Sequence, residues 1–190
     1  MEKSIKYFEG KGVGNTDKTL EAARKRVKEL GIRDVVIATN HGETAIKALD
    51  VFSDMKVNLV AVTISEAFQE EGWCMTTEER KRLEEKGIQV LTCLHSLGGN
   101  VSTSFQKKFG GISIEEVVRE ILYRFSQGMK VCVEIVLMAA DAGLINVDSE
   151  VVAIGGSSSG ADTAIVIKPS YSKNFREIEI LEIIAKPRKP

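Results

Sequence analysis

Three stretches of this chain gather the residue types that hold or transform small molecules. The first, Thr39-Asn40-His41-Gly42-Glu43-Thr44, joins a β-branched apolar run directly to a helical pattern. A strand, a tight glycine turn and a helix start aim free backbone N–H groups and the positive end of a helix dipole at one spot. That arrangement suits a phosphate, and the threonine hydroxyls add donors. A plain turn with an N-cap fits the same residues. The second stretch is Gly155-Gly156-Ser157-Ser158-Ser159-Gly160-Ala161-Asp162-Thr163. Its glycines let the backbone take positive φ and approach a ligand closely, while its serines donate. No Gly-Lys-Ser/Thr ending makes it a Walker loop, and strand-like runs on both sides exclude a dinucleotide fingerprint. A long hairpin loop is the other reading. The third, Leu94 to Ile112, reads LHSLGGNVSTSFQKKFGGI and shows no clear period, so a loop is expected. His95 lies near its start. Gly98-Gly99 and Gly110-Gly111 can hinge a lid whose Lys107 and Lys108 reach an anion; a mobile solvated loop is the alternative.

Other groups bear on acid–base chemistry. Glu134 and Asp141 sit seven positions apart in an apolar run, so on a helix they share a face, and a buried carboxylate pair could exchange protons. A Glu paired with Arg, or bonded to a backbone group, fits as well. His41 is a candidate base in a turn. Cys93 and His95, two apart on a strand, only share a face and make no nucleophile dyad. Trp73 can cover a planar ligand or plug the edge of a core. Three cysteines without a CxxC pair, and two histidines, fit neither a disulfide framework nor a zinc or histidine-rich metal site. No GxSxG motif is present.

The elements that must position these residues alternate. Leu20, Ala23, Val27 and Leu30 recur at helical spacing, with Asn15 or Thr16 as N-cap and Gly31 past the end. The run DVVIAT is too short and too β-branched for a helix and reads as a buried strand. Ala45, Ile46, Leu49 and Phe52 mark a second helix, and VNLVAVTI a second buried strand. Thr76 and Glu79 have capping-box spacing before a short helix ending at Gly87, and IQVLTC follows as a strand. Ser113 and Glu116 open another helix, with Val117, Ile121, Leu122 and Phe125 along one face. MKVCVEIVLMAADAG is read as a buried helix ending at Gly143. Ser4 to Phe8 is a short first strand, and EVVAIGG, TAIVIKP and IEILEII are three more; the tail KPRKP is expected to fray. Helices alternating with strands predict a mostly parallel or mixed sheet in a three-layer α/β sandwich, as one domain over residues 1–190.

Charge and length set outer bounds. Twenty-six Lys and Arg against 27 Asp and Glu give a formal net charge of −1, which argues against a main role in gripping nucleic acid or an anionic membrane. No apolar run reaches the ~18 residues of a membrane span, and the first residues lack the apolar core of a secretory signal. A cytoplasmic location is the expectation. At 190 residues the chain can bury roughly 70% of its unfolded surface, enough for a core without staples.

The residues VVIATNHGETAIKAL resemble the start of the pyruvate kinase C-terminal domain, where a strand runs into a Thr-x-Ser-Gly-Arg-Thr/Ser-Ala turn that holds a phosphate of a sugar-bisphosphate activator. EVVAIGGSSSGADTAIVI resembles that domain's effector loop between its last strands. CVEIVLMAADAGLI together with GGSSSGADTAIVIKP is similar to a small, mostly archaeal family of stand-alone proteins like that domain, and this resemblance covers nearly the whole chain. It implies that Thr39, Gly42 and Thr44 fall on the phosphate-turn positions, with Asn40 and His41 replacing the kinase's residues and Glu43 its Arg. It implies a phosphorylated ligand such as FMN, a nucleotide or a sugar phosphate. No barrel, metal-binding carboxylates or substrate Lys of the kinase is recognised here, so phosphoryl transfer to ADP is not expected. Two further readings remain open. One is a flavin-dependent enzyme using His41, His95, Glu134 or Asp141. The other is a regulatory subunit that forms a homo-oligomer through IEILEII, as the kinase domains associate.

Overall fold

The computed structural model describes residues 2–189. β1 (Lys6–Phe8) leads through a single 3-10 turn to α1 (Thr16–Leu30), which stops where Gly31 adopts φ 68° and donates its N–H to Val27. β2 (Asp34–Ala38), α2 (Glu43–Val51) and β3 (Asn58–Val62) follow. α3 (Thr77–Glu84) opens on Thr76 and Glu79, whose reciprocal capping bonds both form, and leads to β4 (Gln89–Leu91). Next come α4 (Val101–Phe109), α5 (Ile114–Tyr123) and α6 (Gln127–Asp141). The hairpin β5 (Val151–Gly155) and β6 (Thr163–Lys168) precedes the last strand, β7 (Glu179–Pro187).

One sheet of seven strands runs in the order β1-β7-β6-β5-β2-β3-β4. β2, β3, β4 and β5 are mutually parallel, β6 opposes them, and β7 and β1 run parallel to each other and opposite to β6. This is the mixed, mostly parallel α/β sheet that the alternation predicts. At its centre the unbroken apolar run of β2 divides by period two. Val35 and Ile37 join the cluster built with Leu20 and Val27 of α1 and Phe52 after α2; Val36 joins the cluster built with Val133, Val136 and Leu137 of α6. A strand with both faces covered needs apolar side chains at every position, which is why no polar alternation appears in it. The chain leaves β2 toward β3 but returns to its other side at β5, so the carboxyl ends of β2 and β5 flank the point where the strand order reverses. Ligands of open α/β sheets bind at such a crevice.

The structure differs from the sequence expectations in two places. Within the expected loop from Leu94 to Ile112, residues Val101–Phe109 form a helix, capped where Asn100 accepts from the Thr103 N–H (3.3 Å) and ended at Gly110. Val101, Phe105 and Phe109, four apart, give it an apolar stripe that the surrounding glycines and serines mask in composition. The expected frayed tail is also partly sheet. Tyr7 and Phe8 pair with Lys186 and Pro187, and Phe8 accepts from the Arg188 N–H at 2.8 Å. That pairing partner comes from the other end of the chain, so no local pattern announces it.

Candidate functional site

Thr39 extends β2 by one step, donating its N–H to Val62 (3.0 Å), and its hydroxyl accepts from the Gly42 N–H (3.1 Å). Gly42 sits at φ 89°, and an added Cβ would lie 3.1 Å from Leu83 of α3, so both conformation and space demand glycine. α2 starts there. Its first N–H groups have no intrahelical partners, and no side chain caps them among the described residues. Hydroxyl or amide side chains cap α3, α4, α5 and α6, whereas α1, like α2, has no side-chain cap. The start of α2 opens on a cleft of about 230 Å³ shared with α3, lined by His41, Glu43, Ile46, Glu79, Arg82 and Leu83 around Gly42. His41 Nδ1 lies 3.2 Å from Glu79 Oε2. The Glu79 carboxyl is held below its usual range chiefly by the Thr76 N–H, against the effect of burial and with help from His41. Asn40 is half-buried, Thr44 buried, and Glu43 exposed beside the helix start.

The Gly155–Thr163 loop follows the neighbouring strand, Ile37 pairing with Ile154, but it turns toward the start of α1. Asp162 is fully buried and accepts from the N–H groups of Gly12 (2.9 Å) and Ser157 (3.2 Å) and from the Thr163 hydroxyl (2.9 Å). Thr163 also meets Ser126, the cap of α6, at 3.1 Å. Ala161 donates to the Thr16 hydroxyl at 3.0 Å. A Cβ on Gly160 would stand 2.4 Å from that same hydroxyl, and one on Gly156 would stand 2.3 Å from the Gly160 carbonyl. The glycines thus permit close packing of the loop on itself and on α1, and the Ser157 N–H already serves an internal carboxylate. Gly155 packs against α6. Ser158, at φ 68°, and Ser159 are exposed, while the Ser157 hydroxyl is buried with no hydrogen-bond partner among the described residues.

His95, Gly98 and Gly99 lie on the other face of the sheet from the α2–α3 cleft. Leu97 belongs to the α6-side cluster and donates its N–H to Glu134 at 3.0 Å. His95 Nε2 accepts from the Ser65 N–H (3.2 Å), which requires a neutral ring, and burial is the first cause of its lowered pKa. Its ring stacks on Phe68 (5.8 Å), which stacks in turn on Trp73 (5.9 Å), so the lone tryptophan closes an aromatic stack. Gly98 packs on Arg119, and Gly99, at φ 65°, on Phe68. A separate cleft of about 460 Å³ runs from Cys93 and His95 to Asp141 and Ser172. Lys107 and Lys108 belong to the last turn of α4, on no lid over the α2 start.

The three stretches therefore do not close over one point. The β2–α2 turn owns the α2–α3 cleft, the serine loop packs on α1, and His95 belongs to the α6 face. The acid–base set is also dispersed. Glu134 is buried and ion-paired with Lys130, and Asp141 is exposed, accepting from the Ser172 N–H at 3.0 Å. They make no buried carboxylate pair. The three thiols are poor nucleophiles: burial pushes all three upward, Cys132 most. Arg82 and Glu79 escaped the sequence reading of the site, because only the packing of α3 beside α2 brings them to Gly42.

A family model described as pyruvate kinase, alpha/beta domain, matches residues 17–167, well over half of the 190 residues. The chain belongs to that pyruvate kinase alpha/beta domain family. The match takes in the β2–α2 turn and the serine loop, and it ends before β7. In this member of the family, β1 and β7 lie outside the matched stretch and pair with each other at the sheet edge. No helix of the described residues is long and apolar enough to cross a membrane, and no cluster of His, Cys, Asp and Glu among them could hold a metal ion.

Proposed function

We propose that this alpha/beta domain binds a phosphorylated small molecule through the start of α2, at Thr39–Thr44, and that the chain does not itself transfer a phosphoryl group to ADP. The observation that carries the reading is the uncapped first turn of α2, opening on a cleft that also holds Arg82. Backbone donors, a helix dipole and a guanidinium are the parts an anion needs. Glu43 and Glu79 add negative charge, so the N–H groups and Arg82 must dominate.

The cleft fits a phosphate with a small group attached. At about 230 Å³ it falls below the ~300–1,000 Å³ of ordinary ligand pockets, which favours a compact phosphorylated ligand or the phosphate end of a larger one. A sugar phosphate, or the phosphate end of a nucleotide, is the better match. The test is thermal unfolding with inorganic phosphate, a sugar bisphosphate, ADP and FMN, beside an absorbance scan of freshly purified protein. A ligand at a hundred times its Kd adds about 2.7 kcal/mol, roughly 5–11 °C for a chain of this size. A flat response across the panel at 10 mM overturns the reading. Flavin bands near ~370 and ~450 nm would shift it to a flavoprotein with its ring held elsewhere.

A further inference from the structure

α4 is a helix whose apolar face is buried nowhere in the described structure. None of its nine residues is buried, and polar bonds tether it to α5 and the turn before it: Ser102 to Glu115 at 3.1 Å, Gln106 to Glu116, and Gln106 to the Gly111 carbonyl. Isolated helices shorter than about 12–15 residues are marginal in water, and packing of an apolar face normally supplies what propensity lacks. Yet Phe105 and Phe109, 5.9 Å apart, face outward, and so do Ile112, Ile114, Val117 and Ile121. α5 buries Leu122 toward α6 and leaves this second stripe exposed. Ile112, Val117 and Ile121 share a groove with Gln106 of α4, so the exposed stripe of α5 borders α4.

These six residues are 47–82% exposed. At about 150–200 Å² each they leave roughly 700 Å² uncovered, more than the ~300–600 Å² of the largest apolar patch on a typical monomer. A stable interface takes about 800 Å² from each partner. The charges choose the occupant. α4 carries Lys107 and Lys108 and no acid, a net of +2; α5 carries Glu115, Glu116 and Glu120 against Arg119, a net of −2. A two-fold axis places each helix on its opposite in a second copy, matching apolar stripe and charge together. The acidic flank disfavours an anionic lipid surface.

We infer that the α4–α5 hairpin is a self-complementary surface on which a second copy of this chain docks, α4 of one protomer against α5 of the other. This surface is independent of the phosphate site and of the last strand.

The experiment is sedimentation equilibrium of the full chain over a range of concentrations, repeated for Phe105→Glu, Ile121→Lys, the pair Lys107→Glu with Lys108→Glu, and the pair Glu115→Lys with Glu120→Lys. Circular dichroism confirms that each variant folds. The wild type should be dimeric, each apolar variant should dissociate at least about thirtyfold more readily, and the two charge-reversed proteins should associate with each other better than with themselves. A wild type that is monomeric at 100 μM overturns the inference. So does a dimer that survives both Phe105→Glu and Ile121→Lys, since it must be held elsewhere. The open edge of β7 from Glu179 to Ile184, which β1 leaves unpaired, is then the surface to examine.

Discussion

Asp162 accepts the backbone N–H of Gly12 at 2.9 Å, tying the β5–β6 loop to the turn that opens α1. The same buried carboxylate takes the Ser157 N–H and the Thr163 hydroxyl, so one side chain satisfies three donors from three places. Asp162→Ala leaves the Gly12 and Ser157 N–H groups without their acceptor, the Thr163 hydroxyl keeping Ser126, and should cost about 3 kcal/mol, or roughly 6–12 °C in Tm. Asp162→Asn keeps an acceptor but turns an NH₂ toward N–H donors, and should recover only part of the loss. A urea titration of both variants checks this; a change within 0.5 kcal/mol for the alanine variant contradicts the assigned role.

The Lys130–Glu134 pair is structural. Both side chains are buried one turn apart on α6, and Glu134 also accepts from Leu97. Glu134→Leu leaves a buried ammonium alone and should destabilise by about 3–5 kcal/mol. Lys130→Met combined with Glu134→Gln removes the charges while keeping an acceptor for the Leu97 N–H. It should lie closer to wild type than Glu134→Leu does. If instead Glu134 is catalytic, the double variant would fold well and lose a measurable activity.

Acid should weaken the fold first through His95. Its folded pKa lies below the ordinary 6.5, burial being the first cause and Lys130 adding to it against Glu134. The unfolded chain therefore binds that proton more tightly. Stability is full above pH 6.5 and declines as pH falls through the window down to the folded value, by at most about 1.4 kcal/mol per pH unit. Glu79 and Glu182, both lowered, lose their contributions only below about 4.5. His95→Gln, which keeps an acceptor for the Ser65 N–H, should flatten the urea midpoint between pH 7 and 5.5. An unchanged slope would assign the acid sensitivity to another group.

At the α2 start, charge should decide affinity. Arg82→Ala should weaken binding of the stabilising phosphate compound about tenfold, and Glu43→Arg should strengthen it by a similar factor. Both positions are exposed, so neither should move the ligand-free Tm by more than about 2 °C. Calorimetric titration reads the first effect and a thermal melt the second. Equal affinity across wild type and both variants would place the ligand away from this cleft.

Wherever the physics is local, the elements are legible in the chain. β2 shows as an unbroken β-branched run, α3 as the Thr76–Glu79 box, α1 by its three- and four-residue apolar spacing and Gly31, and α6 by its Met- and Ala-rich second half. The candidate phosphate turn is legible for the same reason: a strand, Gly42 and a helix start are consecutive residues. α4 hid because its stripe contacts nothing that would mark it as a core face, and glycines flank it.

What the chain alone determines here is which segments become strands and helices, and that their alternation makes an α/β sandwich, because turn chemistry and side-chain periodicity act over a few residues. Only the tertiary structure decides which turns meet. It sets α3 with Arg82 beside Gly42, closes the serine loop on α1 through Asp162, sends His95 to the opposite face, and pairs β1 with the end of β7. Those contacts join residues far apart in sequence, and their selection rests on burial of two clusters and satisfaction of buried polar groups. No short window of sequence contains either.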